Sequence, residues 1–113
     1  MKNKVYVCSP LFGNIEENLE NAKYYTRYVL ECGMAPVTPH FYALCLDTSI
    51  QKNRNIIIGI GLSLLWFCDE IWVFGEEISA EMRSEISFCE TMRMPIKKIC
   101  NKKLRKKLGE DKK

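Results

Sequence analysis

The chain predicts an α/β domain in three layers, a small parallel sheet of about four to five strands between two layers of helices. Three observations carry this expectation. Segments of strand and helix character alternate as β-α-β-α-β-α-β along the 113 residues, and right-handed crossovers turn that order into a parallel sheet with helices on both faces. Glu70-Ile71-Trp72-Val73-Phe74 is a near-continuous apolar run, which suits a central strand covered on both sides. The length is that of one domain, and 47% hydrophobic residues suffice for a real core.

The elements follow in order. Val5-Tyr6-Val7-Cys8 is β-rich and is stopped by Ser9-Pro10 and Gly13. Asn14 offers a helix N-cap, with Glu17 three residues on as a capping box. Ile15, Leu19, Ala22, Tyr25 (or Tyr24), Val29 and Cys32 then recur at helical spacing until Gly33 closes the helix. Ala35-Pro36-Val37-Thr38 reads as a second strand, which Pro36 assigns to an edge. Pro39 and His40 open a long connection through Asp47, Ser49 and Asn53 to a helix from about Arg54 to Phe67. After the strand 70–74, Gly75 begins a loop to a helix capped by Ser79 and ended by Arg93-Met94-Pro95. Residues 95–99 form a last strand, and Asn101 to Leu108 a short terminal helix before a fraying end. The expected division is a domain over 1–100 and a lysine-rich tail over 101–113.

Charge and cysteine content narrow the function classes. The formal net charge of +3 arises in the lysine-dense end. Without it the domain is close to neutral, which argues against a nucleic-acid-binding body. Lys97, Lys98, Lys102, Lys103, Arg105, Lys106, Lys107, Lys112 and Lys113 read as a solvated end, with nucleic acid or an anionic membrane as the minor alternative. The six cysteines form no CxxC pair and His40 is the single histidine, so zinc spacing is absent. Most of the cysteines lie in apolar runs, where a free thiol behaves as a small hydrophobe. Met1-Lys2-Asn3-Lys4 leads straight into a strand, so no signal peptide is expected and a reduced, cytoplasmic compartment is. The apolar run Ile56 to Leu65 is too short to span a bilayer.

Glu85 is the most informative residue. At about 100° per residue, Met82, Ile86, Cys89 and Met92 form one apolar stripe, and Glu85 falls inside it. Glu81 and Glu90 point elsewhere and read as solvated charges. An inward carboxylate is costly unless it is paired, here with a tyrosine or an arginine, or has chemistry to do. Near the carboxyl end of a strand it stands where such sheets bind ligands. Other segments carry two readings each. The loop 8–14 is a plain βα turn or a cradle of backbone N–H groups for a ligand, though it is neither GxGxxG nor a P-loop. Asp69 hydrogen-bonds backbone at a strand start or touches ligand. His40 is structural or a ligand contact. Ser79 caps its helix, whose N-terminus favours an anion, the Glu85 carboxylate included.

Taken together, 5–14, 68–75 and Ser79-x-x-Met82-x-x-Glu85-Ile86 resemble the nucleoside 2-deoxyribosyltransferase-like superfamily, in particular a short bacterial and phage branch. The resemblance runs to about Ile99; its order and spacing are specific, each motif alone is weak. It implies a flavodoxin-like, Rossmann-like fold, assembly as at least a dimer, and cleavage or transfer of the N-glycosidic bond of a nucleoside or nucleotide. It implies Glu85 as the nucleophile that forms a glycosyl-enzyme ester, resolved by a base or by water. Tyr6 matches the strand aromatic that holds the glutamate or the sugar. Ser9, Phe12, Gly13 and Asn14 match the sugar loop, and Ser79 the 5′ side. His40, Asp69, Gly75 and Met82 complete the implied substrate-binding set. No metal or organic cofactor is implied. The aromatic content of the first helix (Tyr24, Tyr25, Tyr28), read as exposed, points likewise to a homodimer or higher homo-oligomer.

Three positions depart from the active relatives. Gly61 stands where they carry an aspartate that helps protonate or hold the base. Phe12 stands where the branch has an arginine suited to phosphate, and Glu81 where it has a glycine. Phe12 and Glu81 disfavour a 5′-monophosphate. The relatives' C-terminal segment, which enters a neighbouring subunit's site, has no match in the lysine tail. Two further functions stand beside the N-glycosidic enzyme. One is a non-catalytic binder of a nucleotide-derived small molecule, as a sensor or sequestering protein. The other is a fold that supports assembly while the tail recruits a partner.

Overall fold

A computed structural model describes residues 1–109; Lys112 and Lys113 of the lysine-rich end lie outside the described residues. The elements are β1 (Lys4–Cys8), α1 (Ile15–Glu31), β2 (Ala35–Val37), a 3-10 segment (Pro39–Leu44), α2 (Gln51–Leu65), β3 (Glu70–Phe74), α3 (Ala80–Met92), β4 (Ile96–Ile99) and α4 (Asn101–Leu108). The strands form one sheet in the order β2-β1-β3-β4, all neighbours parallel. This is a flavodoxin-like order, and its strand connections reverse direction between β1 and β3. Tyr6 pairs with Ile71 and Cys8 with Val73 across that junction.

Strand alternation sorts the core into two layers. Val5, Val7, Trp72 and Phe74 face one side, where they meet Tyr25, Tyr28 and Val29 of α1. Tyr25 stacks on Phe74 with ring centroids 4.7 Å apart, and Tyr28 stands edge-on to Trp72 at 5.9 Å. Such pairs add about 0.5–1.5 kcal/mol each to their burial. Tyr6, Cys8, Ile71 and Val73 face the other side, against Leu65, Met82 and Cys89. Tyr25 and Tyr28 are therefore core, not the exposed surface read from the sequence. The stripe they share with Ala22 and Val29 is the buried one, so their aromatic area is no argument for an oligomer.

The caps act locally as their chemistry dictates. Asn14 accepts from the Glu17 backbone N–H at 3.3 Å, but Glu17 turns its carboxylate to the Asn14 amide at 2.9 Å rather than to the backbone. At the other end of α1, Gly33 takes φ 79°, and the Met34 and Gly33 N–H groups close on Val29 and Leu30 carbonyls, a Schellman ending. α2 starts at Gln51, earlier than the apolar spacing suggests. Its first turn is polar and is held by hydrogen bonds from Arg54 to the Thr48 carbonyl and the Gln51 side chain. The first part of the connection before it, Pro39–Leu44, is a 3-10 segment rather than open loop. Met92, the last residue of the predicted α3 stripe, is 48% exposed, because Arg93 ends the helix in the left-handed region at φ 57°.

The lysine-rich segment does more than end the chain. Leu104 and Leu108, one helical turn apart, are buried in the α1 core layer, while the lysines between them are exposed. Leu104→Ala is expected to destabilise the protein by about 2–4 kcal/mol. Lys103→Ala should change stability by less than about 0.5 kcal/mol. Urea unfolding followed by circular dichroism reads the contrast; equal effects would remove α4 from the core.

Candidate active site

The pocket forms where a parallel sheet opens, at the carboxyl ends of β1 and β3. β1 supplies Tyr6 and, just beyond its end, Ser9. The following loop supplies Phe12, the 3-10 segment Pro39 and His40, α2 the wall around Gly61, and α3 Ser79, Glu81, Met82 and Glu85. The pocket is small, about 40 Å³. A larger groove of about 680 Å³ adjoins it on the α1 side and shares Phe12 and Ser79 with it. Gly13, Asn14 and Gly75 line that groove, not the pocket. Asp69 belongs to neither. It lies at the amino end of β3, where its carboxylate accepts from the Lys4 N–H at 2.7 Å and its own N–H donates to the Lys4 carbonyl. A residue at that edge stands on the wrong side of the sheet for a ligand bound at the carboxyl edge, so Asp69 leaves the expected binding set.

Glu85 sits at the centre. The Tyr6 hydroxyl donates to its Oε2 at 2.7 Å, and the Cys8 thiol is close enough to act on its pKa. Tyr6 and Cys8 share a face of β1 because they are two residues apart. That spacing was visible in the sequence and marks Cys8 as a site residue the motif reading passed over. Burial raises the pKa of Glu85; the Tyr6 hydrogen bond and the Cys8 thiol pull it back, and Glu81 pushes it up again. Burial together with the Glu85 charge pushes the Tyr6 phenol and the Cys8 thiol well up, so both remain protonated donors. Glu81, one helical turn earlier, lines the pocket instead of pointing to solvent.

Gly61 is a packing requirement. A Cβ there would stand 2.8 Å from the Tyr6 hydroxyl oxygen and 3.7 Å from Pro39. In this packing no acid fits at position 61 while Tyr6 holds Glu85. On the opposite wall His40 is buried. Its Nε2–H donates to the Ser9 carbonyl at 2.8 Å and lies 3.0 Å from Ser9 Oγ. Nδ1 is left buried with no partner. Burial lowers the His40 pKa, so the imidazole is the neutral tautomer protonated on Nε2. Ser79 Oγ accepts from the Met82 N–H at 3.2 Å, which leaves its own proton free for a ligand. No lysine or arginine is among the described residues lining either cavity, whereas Glu81 and Glu85 line the pocket and Glu17, Glu76 and Glu77 the groove. Among the described residues no group of His, Cys, Asp and Glu is placed to hold a metal ion, and no helix is long and apolar enough to cross a membrane.

The raised Glu85 pKa has a definite sign in stability. The folded state binds the Glu85 proton more tightly than the unfolded chain, whose value is near 4.5. The group's stabilising contribution is complete below that value and is lost as pH rises through the folded pKa. Glu85→Gln should therefore be more stable than the parent at pH 7, with the gap closing as pH falls below about 4.5. Thermal unfolding across pH measures this; a variant less stable than the parent at pH 7 would contradict the burial argument.

Comparison with other proteins agrees with the fold. A 2-deoxyribosyltransferase from the psychrotolerant bacterium Bacillus psychrosaccharolyticus superposes with a TM-score of 0.67, at 16% identity, over 86% of this chain and 72% of that one. At that identity the likeness establishes the shared fold. No curated protein matches the chain in sequence. A family profile matches residues 3–99, from the start of β1 to the end of β4, and by that match the chain belongs to the domain family of unknown function DUF7768.

Proposed function

We propose that this protein cleaves or transfers the N-glycosidic bond of a nucleoside, with Glu85 as the nucleophile. The observation that carries the reading is the Glu85 carboxylate, held by the Tyr6 hydroxyl at 2.7 Å on a pocket at the carboxyl edge of the sheet. The 2-deoxyribosyltransferase of the same fold supports it. A Glu85 oxygen attacks the anomeric carbon, the bond from that carbon to the base nitrogen breaks, and its electron pair leaves with the base. A second base or water then attacks the anomeric carbon and releases Glu85. Neutral donors suit a nucleophile, because Tyr6 and Cys8 orient the carboxylate without neutralising it. In this reading Ser9, Phe12, Met82 and Ser79 surround the sugar, with Ser79 donating to its 5′ side, and Gly13, Asn14 and Gly75 border the path along the groove. The carboxylate-lined cavities favour an uncharged nucleoside over its monophosphate. The free thiols fit a reducing cytoplasm, and the working form is a homo-oligomer.

A specific observation favours a second reading. Gly61 excludes the acid that would protonate a leaving base, so a non-catalytic binder of a nucleoside-derived molecule is the alternative. Mass spectrometry of the protein with nucleosides, deoxynucleosides and free bases separates the two. Base release or exchange should fall by roughly 10³-fold or more in Glu85→Gln, and 5′-monophosphates should turn over at least about tenfold more slowly than nucleosides. A ligand retained in native spectra without turnover in the parent would establish the binder instead.

The Tyr6–Glu85 bond gives a further check. Tyr6→Phe removes a donor that lowers the Glu85 pKa, so the acid limb of the kcat/KM profile should move to higher pH. Gly61→Ala should shift it the same way by displacing the hydroxyl. An unmoved acid limb in both variants would show that Tyr6 does not tune the nucleophile.

A further inference from the structure

The surface of α2 is unlike that of the other helices. From Asn55 to Phe67 the chain carries no charged residue. Its inner side is core, with Ile57, Gly61 and Leu65 buried. Its outer side is apolar as well: Ile56, Ile60 and Leu62 are exposed, and Trp66 and Phe67 are 57% and 70% exposed. A surface helix ordinarily turns charge to water, and one that is apolar all round is a covered helix.

We propose that the outer face of α2 is the contact surface between two copies of this chain, α2 packing on α2 across a twofold axis near Gly59. The proposal deepens the homo-oligomer reading by naming its surface, and it does not depend on the chemistry of the pocket.

Four observations select a second copy as the occupant. In a twofold interface each residue lies near its own counterpart, so a charged face would repel itself and an uncharged one does not. Gly59 and Ser63, one turn apart, lie on the outer crest. A Cβ at Gly59 would meet nothing within 4 Å, so the fold of the single chain does not require glycine there, whereas a second helix approaching closely does. The exposed apolar side chains of this helix amount to on the order of 500 Å², most of the ~800 Å² that each partner of a standard interface buries. A lipid surface fits less well. Adsorbing helices flank their apolar face along its length with lysine and arginine, whereas α2 carries them only in its first turn, Lys52 and Arg54, and the exposed lysines of α4 lie in the layer on the other side of the sheet, with α1.

The same helix walls the pocket through Ile57, Ile58 and Gly61, so the interface backs directly onto the candidate site. No other apolar face of the described residues combines this length with this lack of charge.

Sedimentation velocity of the full chain over a concentration series tests the proposal. The parent should sediment at twice 13.2 kDa. Gly59→Arg and Ile60→Asp should each weaken self-association by roughly 30-fold or more. Gly59→Arg should hold or raise the melting temperature of the single chain, since arginine is the better helix former. Loss of the dimer, with a melting temperature retained or raised at a dilution where the parent too is monomeric, is a signature that damage to the fold would not give. If one variant fails to fold by circular dichroism, the other decides. A parent at 13.2 kDa throughout overturns both the surface and the oligomer reading. A dimer that persists in both variants overturns the surface alone. Parent monomers that bind phosphatidylserine vesicles, with binding lost in Ile60→Asp, would assign the face to a lipid surface and overturn the proposal.

Discussion

The hydrogen bond from the Tyr6 hydroxyl to Glu85 is the constraint around which three elements are arranged. Tyr6 is almost wholly buried, so packing fixes where its hydroxyl points. α3 must then present a carboxylate at that turn, and α2 must present a glycine where the hydroxyl passes. The bond also sets the electrostatics. Among the causes that shift the Glu85 pKa there is no cation, only burial, two neutral donors and a second carboxylate. A guanidinium in their place would hold the carboxylate more tightly and draw charge from it. A neutral donor holds its direction without neutralising its charge.

The sheet divides this work between its faces. One face is dense with aromatic rings, and the α4 leucines close it. The other is built around small sulfur-bearing side chains, Cys8, Cys68 and Cys89, which fill the layer beneath Glu85 without crowding it. Burial raises the Cys68 and Cys89 thiols to about 11, so they stay protonated and unreactive. The small pocket beside Glu85 opens between α2 and α3, and the larger groove runs along α1. The amino edge of the sheet has its own closed set of contacts. Glu70 accepts from the Trp72 indole at 2.7 Å and faces Lys97 at 3.7 Å, which is why acidic residues at that edge have no part in the pocket.

Much of this was legible in the sequence, for local reasons. The inward position of Glu85 follows from helical periodicity, the strand at 70–74 from its unbroken apolar run, and the starts of α1 and α3 from Asn14 and Ser79. What stayed hidden depends on contacts between distant residues. Gly61 reads as a missing acid until Tyr6 is seen to occupy the space beside it. Leu104 and Leu108 are masked by the lysines around them, though their spacing is helical. Helical spacing already put Tyr25 (or Tyr24) in one stripe with Ala22 and Val29, but the spacing did not extend to Tyr28, which is buried beside them. Asp69 follows a helix and precedes a strand, and only the direction of the parallel sheet shows that this is the edge away from the pocket. Glu81 lies one turn from Glu85, so the face that buries one brings the other to the rim.

Gly61 joins the fold to the chemistry. In this packing, an acid on α2 at that position and a tyrosine hydroxyl held against Glu85 exclude one another, since the first carbon of any side chain would stand 2.8 Å from the hydroxyl. A pocket that keeps the tyrosine has a well-held carboxylate and no acid at position 61 of α2. Glu81 lines the pocket from the first turn of α3. In the reaction proposed above, catalysis would lean on the Glu85 carboxylate more than on an acid, and would favour bases that leave readily over those that need a proton delivered in the transition state.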